Sequence, residues 1–211
     1  MINPAGIAAK QGISRSYNCL VISIVICLGW SAALQAETID QANEALEQLD
    51  YERALALFEE LAAQGEPQAL YQLGVIYEEG LGTEADEAAA NGWYQQALEK
   101  NSPRALAHFG GKYREGAGVV QNFKESLRLY RLSAELGYAP AQHVLGMALA
   151  DGMGTFRDPV KAHMWFNLAS ASGYAAATIA RDRLAANMGQ SEVTLAQDKA
   201  LQCAEKNYRS C

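Results

Sequence analysis

The chain has no Ser-x-x-Lys, no Gly-x-Ser-x-Gly, no His-Glu-x-x-His and no Cys-x-x-Cys, so the common hydrolase, zinc and redox signatures are missing from it. Histidine is scarce: His108, His143 and His163 are the only three among 211 residues, and a metal would need further ligands to which the sequence does not point. No metal site and no cofactor are expected. Basic residues are outnumbered, 17 Lys and Arg against 24 Asp and Glu for a formal net charge of -7. A nucleic-acid partner is therefore disfavoured, because its phosphate backbone demands a basic footprint. No Pro-rich or Ser-rich linker divides the chain. One domain is expected.

Cysteine is sparse and confined to the two ends. Cys19 and Cys27 fall in an N-terminal segment in which Lys10 and Arg15 precede the apolar run Leu20 to Trp30 and then small residues. The stretch from Leu20 to Ala33 is short for a membrane span, which takes about 20 residues, and fits the apolar core of a secretory signal. Cleavage after Ala33 or Ala36 is expected, which assigns residues 1–36 to the signal and the protein to the periplasm or the medium. An uncleaved membrane anchor is the alternative reading. The mature chain would keep Cys203 and Cys211 alone, and export to an oxidising space permits a disulfide between them. The alternative is two free thiols on the tail.

What the chain does have is a period. Leu73-Gly74 returns as Phe109-Gly110 and as Leu145-Gly146, each 36 residues on with no insertion or deletion. Other columns keep step: Ala69, Ala105 and Ala141; Tyr77, Tyr113 and Leu149; the pairs Gly80/Gly82, Gly116/Gly118 and Gly152/Gly154; Trp93, Leu129 and Trp165; Tyr94, Tyr130 and Phe166. A fixed period of this size means small units that become stable only by stacking.

Each unit reads as two helices. Ala69, Leu73 and Tyr77 lie at i, i+4 and i+8 on one stripe, the pattern of a helix with one buried face. Glycine inside such a helix costs about 1 kcal/mol against alanine, so Gly74, Gly110 and Gly146 point to close approach of a neighbouring helix. The first glycine of each Gly-x-Gly is the expected left-handed stop. Asp86, Asn122 and Asp158 are the expected N-caps of the second helices, with Glu125 three residues after Asn122 at capping-box spacing and Pro159 at a first helical position. Ser102-Pro103 starts the next unit in the same way, and the run Gly152 to Arg157 lacks the third glycine of a dinucleotide fingerprint.

These residues resemble the Sel-1-like repeat, a tetratricopeptide-related helical hairpin. Ala141 to Ala169 carries most of its pattern: Leu145-Gly146, Gly152-Met153-Gly154, Asp158, Lys161-Ala162 and Trp165-Phe166. The first unit has Ala89, and the middle one Glu125, where the pattern has lysine, and Leu129 replaces the tryptophan. The resemblance implies an all-α fold, a right-handed α-solenoid of helix-turn-helix repeats, that presents a helical surface to another protein. Repeats are expected over residues 67–102, 103–138 and 139–174, flanked by capping helices over 37–66 and 175–211. Ser191 is the expected cap of the last helix.

In tetratricopeptide-like solenoids the first helices line the concave face. The resemblance thus implies partner contacts at Tyr71, Gln72 and Val75, then Arg104, His108 and Lys112, then His143 and Met147. Trp93 and Trp165 stand in a recurring column and are expected in the core. Glu79, Glu115 and Asp151 repeat just before the turns, where acids oppose the helix dipole. They form either an acidic stripe for a basic partner or a solvated column. The functional expectation is an exported, non-enzymatic interaction scaffold. The alternative is an exported hydrolase of cell-wall or β-lactam substrates, an activity sometimes ascribed to cysteine-rich members of the family; the paired cysteines of that subgroup, and any nucleophile with its base, are absent from this sequence.

Overall fold

The computed structural model describes residues 39–209 and Cys211; the signal segment, its cleavage points, Cys19 and Cys27 lie outside the described residues. Every described regular element is a helix. The described residues divide into two compact units, one ending at Gln64 and the other beginning at Gly65.

The first unit contains α1 (39–47) and α2 (Tyr51–Ala63). Asp50 caps α2, its carboxylate accepting the Arg53 amide at 3.3 Å. Ala42, Ala45, Ala54, Phe58 and Leu61 are buried.

The second unit is a run of hairpins: α3 (Pro67–Glu79) with α4 (Glu87–Glu99), α5 (Pro103–Glu115) with α6 (Phe123–Glu135), α7 (Ala139–Asp151) with α8 (Pro159–Ala171), then α9 (Ala175–Ala185) and α10 (Gln190–Glu205). The six hairpin helices are 13 residues long, about 20 Å each at 1.5 Å per residue. α6 packs along α7, and α8 along both α9 and α10, whereas α4 meets α5 more sparingly. The array is an all-α helical-repeat solenoid.

The Gly-x-Gly turns work as their spacing predicts. Gly80, Gly116 and Gly152 end α3, α5 and α7 in the left-handed region, at φ 69°, 74° and 75°, where glycine has no Cβ penalty. The chain then crosses to the N-caps. Asp86 accepts the Ala88 and Ala89 amides at 2.9 and 3.0 Å, Asn122 the Glu125 amide at 3.1 Å, and Asp158 the Lys161 amide at 2.9 Å. The amides of these same caps donate to Tyr77, Tyr113 and Leu149 carbonyls at 2.8, 2.8 and 2.9 Å, which ties each second helix to the first.

That tie also overturns the capping box. The Asn122 amide is already bonded to Tyr113, so Glu125 turns outward and pairs with Arg128 at 2.7 Å. At the last helix the cap is Gly189 rather than Ser191, with the Glu192 carboxylate accepting the Gly189 amide at 2.9 Å.

The helix-interior glycines mark the closest approach within each hairpin. A Cβ on Gly74 would lie 2.4 Å from the Tyr94 ring, one on Gly110 3.1 Å from the Tyr130 ring, and one on Gly146 2.6 Å from the Phe166 ring. The Leu-Gly column of the first helix is therefore the seat for the aromatic column of the second. The middle hairpin adds hydroxyls where its neighbours have alanine: Ser126 donates to the Gly110 carbonyl at 2.7 Å and Ser133 to that of Pro103 at 2.6 Å.

Tyr130, Leu145, Trp165, Phe166, Leu168 and Cys203 belong to one buried cluster, onto which α10 closes. Trp165 is 3 % exposed, as its column implies. Trp93 departs from that expectation and is only half-buried, because α4 is less fully covered by its neighbour than α8 is. After α10 the chain turns back, Tyr208 rests against Gly137, and the Cα atoms of Cys203 and Cys211 come to 5.4 Å, a separation a disulfide spans.

Candidate functional site: an aromatic and cationic cluster on the first helices

Seven of the eight residues expected to meet a partner keep side-chain surface. Gln72 does not: it is 8 % exposed and packed among Leu70, Leu73 and Gly74 of the buried stripe. One helical step of about 100° separates Tyr71 from Gln72, and that step carries the second residue into the core. Val75 is half-buried and Met147 exposed.

Tyr71, Arg104, His108 and Lys112 come together. His108 of α5 stacks on the Tyr94 ring of α4, centroids 4.5 Å apart, and meets Tyr71 of α3 edge-on at 6.1 Å. Tyr71 and Tyr94 are themselves 5.6 Å apart. The Arg104 guanidinium lies 5.5 Å from the Tyr71 centroid, and the Lys112 ammonium 5.8 Å from that of Tyr94 and 5.9 Å from that of Phe109. Cations at this range from a ring face are attracted by its quadrupole. His143 stands apart in a second setting, between Phe166 at 5.6 Å and Tyr174 at 5.4 Å.

Burial fixes the charge state of the cluster. The Tyr94 phenol is pushed far up by burial and then by its hydrogen bond to Glu78, and it donates to that carboxylate at 2.6 Å. Burial also raises Tyr71, with Arg104 opposing the shift. His108 is lowered by burial and by the nearby Lys112 charge, and His143 by burial. Both imidazoles are therefore neutral near pH 7, which leaves Arg104 and Lys112 as the cations. Among the described residues neither stands within 4 Å of a carboxylate, and the ion pairs are Arg114–Glu115, Arg128–Glu125 and Arg181–Asp182.

Tyr94 and Glu78 were hidden from sequence reasoning. Tyr94 belongs to a framework column and is 1 % exposed, so its recurrence signals packing, although its hydroxyl emerges on Glu78. The acidic column Glu79, Glu115 and Asp151 occupies the last residues of α3, α5 and α7 and is exposed. Arg114 neutralises Glu115 at 2.6 Å. Among the described residues no group of three or more His, Cys, Asp or Glu is placed to hold a metal ion, and no helix is long and apolar enough to cross a membrane.

Comparison with known proteins agrees with this architecture. The Sel1 repeat pattern matches residues 44–66, 67–102, 104–138 and 139–174. A Sel1 repeat protein from Oxalobacter formigenes is 30% identical, with a TM-score of 0.57 over 67% of this chain and 58% of that one. A protective antigen present in uropathogenic Escherichia coli strains, displaying an SLR fold, is 22% identical with a TM-score of 0.55 over 83% of this chain and 48% of that one, a likeness of fold alone. The chain thus spans about half the length of these two relatives. With four matched repeats over more than half its length, the chain belongs to the Sel1 repeat family, whose members are generally scaffolds for protein–protein interaction.

Proposed function

We propose that the protein is an exported, non-enzymatic scaffold that holds another protein on the concave face lined by its first helices. The observation that carries this reading is the cluster of Tyr71, Arg104, His108 and Lys112, which spends aromatic and cationic side chains on a half-buried surface instead of on the core. Aromatic residues and arginine supply most of the binding energy at protein interfaces. Val75, His143 and Met147 extend the row. Gln72 is left out of it by burial.

The N-terminal segment supports export, with residues 1–36 as the leader, the capping helices over 37–66 and 175–211, and repeats between them. A periplasmic or secreted protein can keep the Cys203–Cys211 bond oxidised; the two Cα atoms stand at a spanning distance. Thiol counting on the exported protein, with and without reductant, reads this directly. Two reactive thiols without reductant would refute the disulfide.

The scaffold reading is tested by capture from the exported compartment. Replacing Tyr71, His108 and Met147 together by alanine, with helical content and melting checked, is expected to abolish recovery of a specific partner. Recovery unchanged by that triple replacement would refute the assignment of the face.

A further inference from the structure

We propose that Arg104, His108 and Lys112 of α5, with Tyr71 and Tyr94 beneath them, form a clamp for an extended acidic segment of the partner protein. The proposal rests on the scaffold reading and names the chemistry of what binds.

The three α5 residues stand at i, i+4 and i+8, one stripe of the helix. At 1.5 Å per residue the backbone positions of Arg104 and Lys112 are about 12 Å apart along the helix. An extended chain rises about 3.3 Å per residue and puts i and i+4 on the same side. Two acidic residues four apart are thus set about 13 Å apart along an extended chain, which matches the spacing of Arg104 and Lys112 along α5. The side chain between them, at i+2, also faces the stripe. Its seat is the stack of His108 on Tyr94, with Tyr71 edge-on beside it. The segment is therefore acidic, apolar or aromatic at the centre, and acidic again.

The cations are free for such a partner. Arg104 and Lys112 rest against rings and make no ion pair among the described residues. Glu78, the carboxylate nearest the stack, is engaged by the Tyr94 hydroxyl at 2.6 Å, and Glu79 is exposed at the end of α3. In a chain with 24 acidic and 17 basic residues, two half-buried cations that pair with no described carboxylate are a site of complementary charge for an acidic chain. Ring contacts hold both side chains in place before binding, which lowers the ordering cost.

The test uses the full protein and labelled peptides of the pattern Glu-Ser-Phe-Ser-Glu, flanked by Gly-Ser, beside the same peptide with lysine for both glutamates. Fluorescence anisotropy is expected to show saturable, salt-weakened binding of the acidic peptide at least about tenfold tighter than of the basic one, two partly exposed charge pairs accounting for that factor. Arg104→Gln with Lys112→Gln should remove the preference, and Arg104→Glu with Lys112→Glu should transfer it to the lysine peptide, each with unchanged helical circular dichroism. Equal binding of both peptides, no binding of either, or a preference untouched by the double variants would overturn the clamp. Partner capture that survives Arg104→Gln with Lys112→Gln but fails on replacing Tyr71, His108 and Met147 would overturn the clamp while leaving the scaffold standing.

Discussion

Replacing Gly146 by alanine sets two effects of known size against each other. Alanine gains about 1 kcal/mol in helix propensity over glycine. Its Cβ would meet Phe166 Cε1 at 2.6 Å, Cδ1 at 2.7 Å and Cζ at 3.1 Å, several tenths of an ångström inside contact distance. The ring has little room to retreat: Phe166 is 1 % exposed, and Trp165, Leu145 and Leu168 belong to the same cluster. Overpacking of this kind costs about 1 to 3 kcal/mol, and a rigid neighbour puts it in the upper half of that range. The net expectation is a loss of about 1 to 2 kcal/mol. Two comparisons make the reasoning refutable. Gly92 is exposed in the interior of α4 and a Cβ there meets nothing within 4 Å, so Gly92→Ala should gain about 1 kcal/mol. Gly110→Ala places its Cβ 3.1 Å from Tyr130, where a small ring shift suffices, and should fall between the two. Thermal melts of the three variants would separate Gly92→Ala from Gly146→Ala by several degrees, since 1 kcal/mol moves the midpoint of a domain this size by about 2–4 °C. A Gly146→Ala protein as stable as Gly92→Ala would refute close approach as the reason for the Leu-Gly column.

The caps, the histidines and the terminal bridge give further expectations. Asp86→Ala removes an acceptor of two amides and should cost about 1 kcal/mol in urea unfolding, against little change for Glu79→Ala at an exposed helix end. Burial lowers the pKa of His108, His143 and His163 from 6.5. The unfolded chain then binds more protons, so stability is full above about pH 6.5 and falls as the pH drops below it. His163→Gln should flatten that fall below about pH 6.5; an unchanged slope would count against a neutral buried imidazole. If the bridge forms, Cys203→Ser should cost about 2 to 3 kcal/mol in the chain-entropy model, felt first as faster amide exchange in α10. Exchange unchanged by the substitution would show that the tail contributes nothing.

Local chemistry explains why so much of the architecture could be read in advance. Gly80, Gly116 and Gly152 adopt positive φ, which other residues resist, and Asp86, Asn122 and Asp158 bond amides within three residues of themselves. Such choices recur wherever the same turn recurs, so a 36-residue period exposes them. Glu125 and Ser191 mark where the local rule fails. Glu125 loses its acceptor role because the Asn122 amide is taken by Tyr113, nine residues back, and the last helix opens at Gly189, ahead of Ser191.

The sequence by itself determined the helices, their turns, their caps and the units that stack, because each depends on residues within a turn or two of one another. It could also name Tyr71, His108 and Arg104 as side chains on one face. Only the tertiary structure decided that Gln72 is inside and Trp93 only half so, because burial is set by how closely neighbouring helices approach. It alone brought a framework tyrosine, Tyr94, under His108 and against Glu78, 14 and 16 residues away in the chain. Those contacts form between helices, at distances no period records.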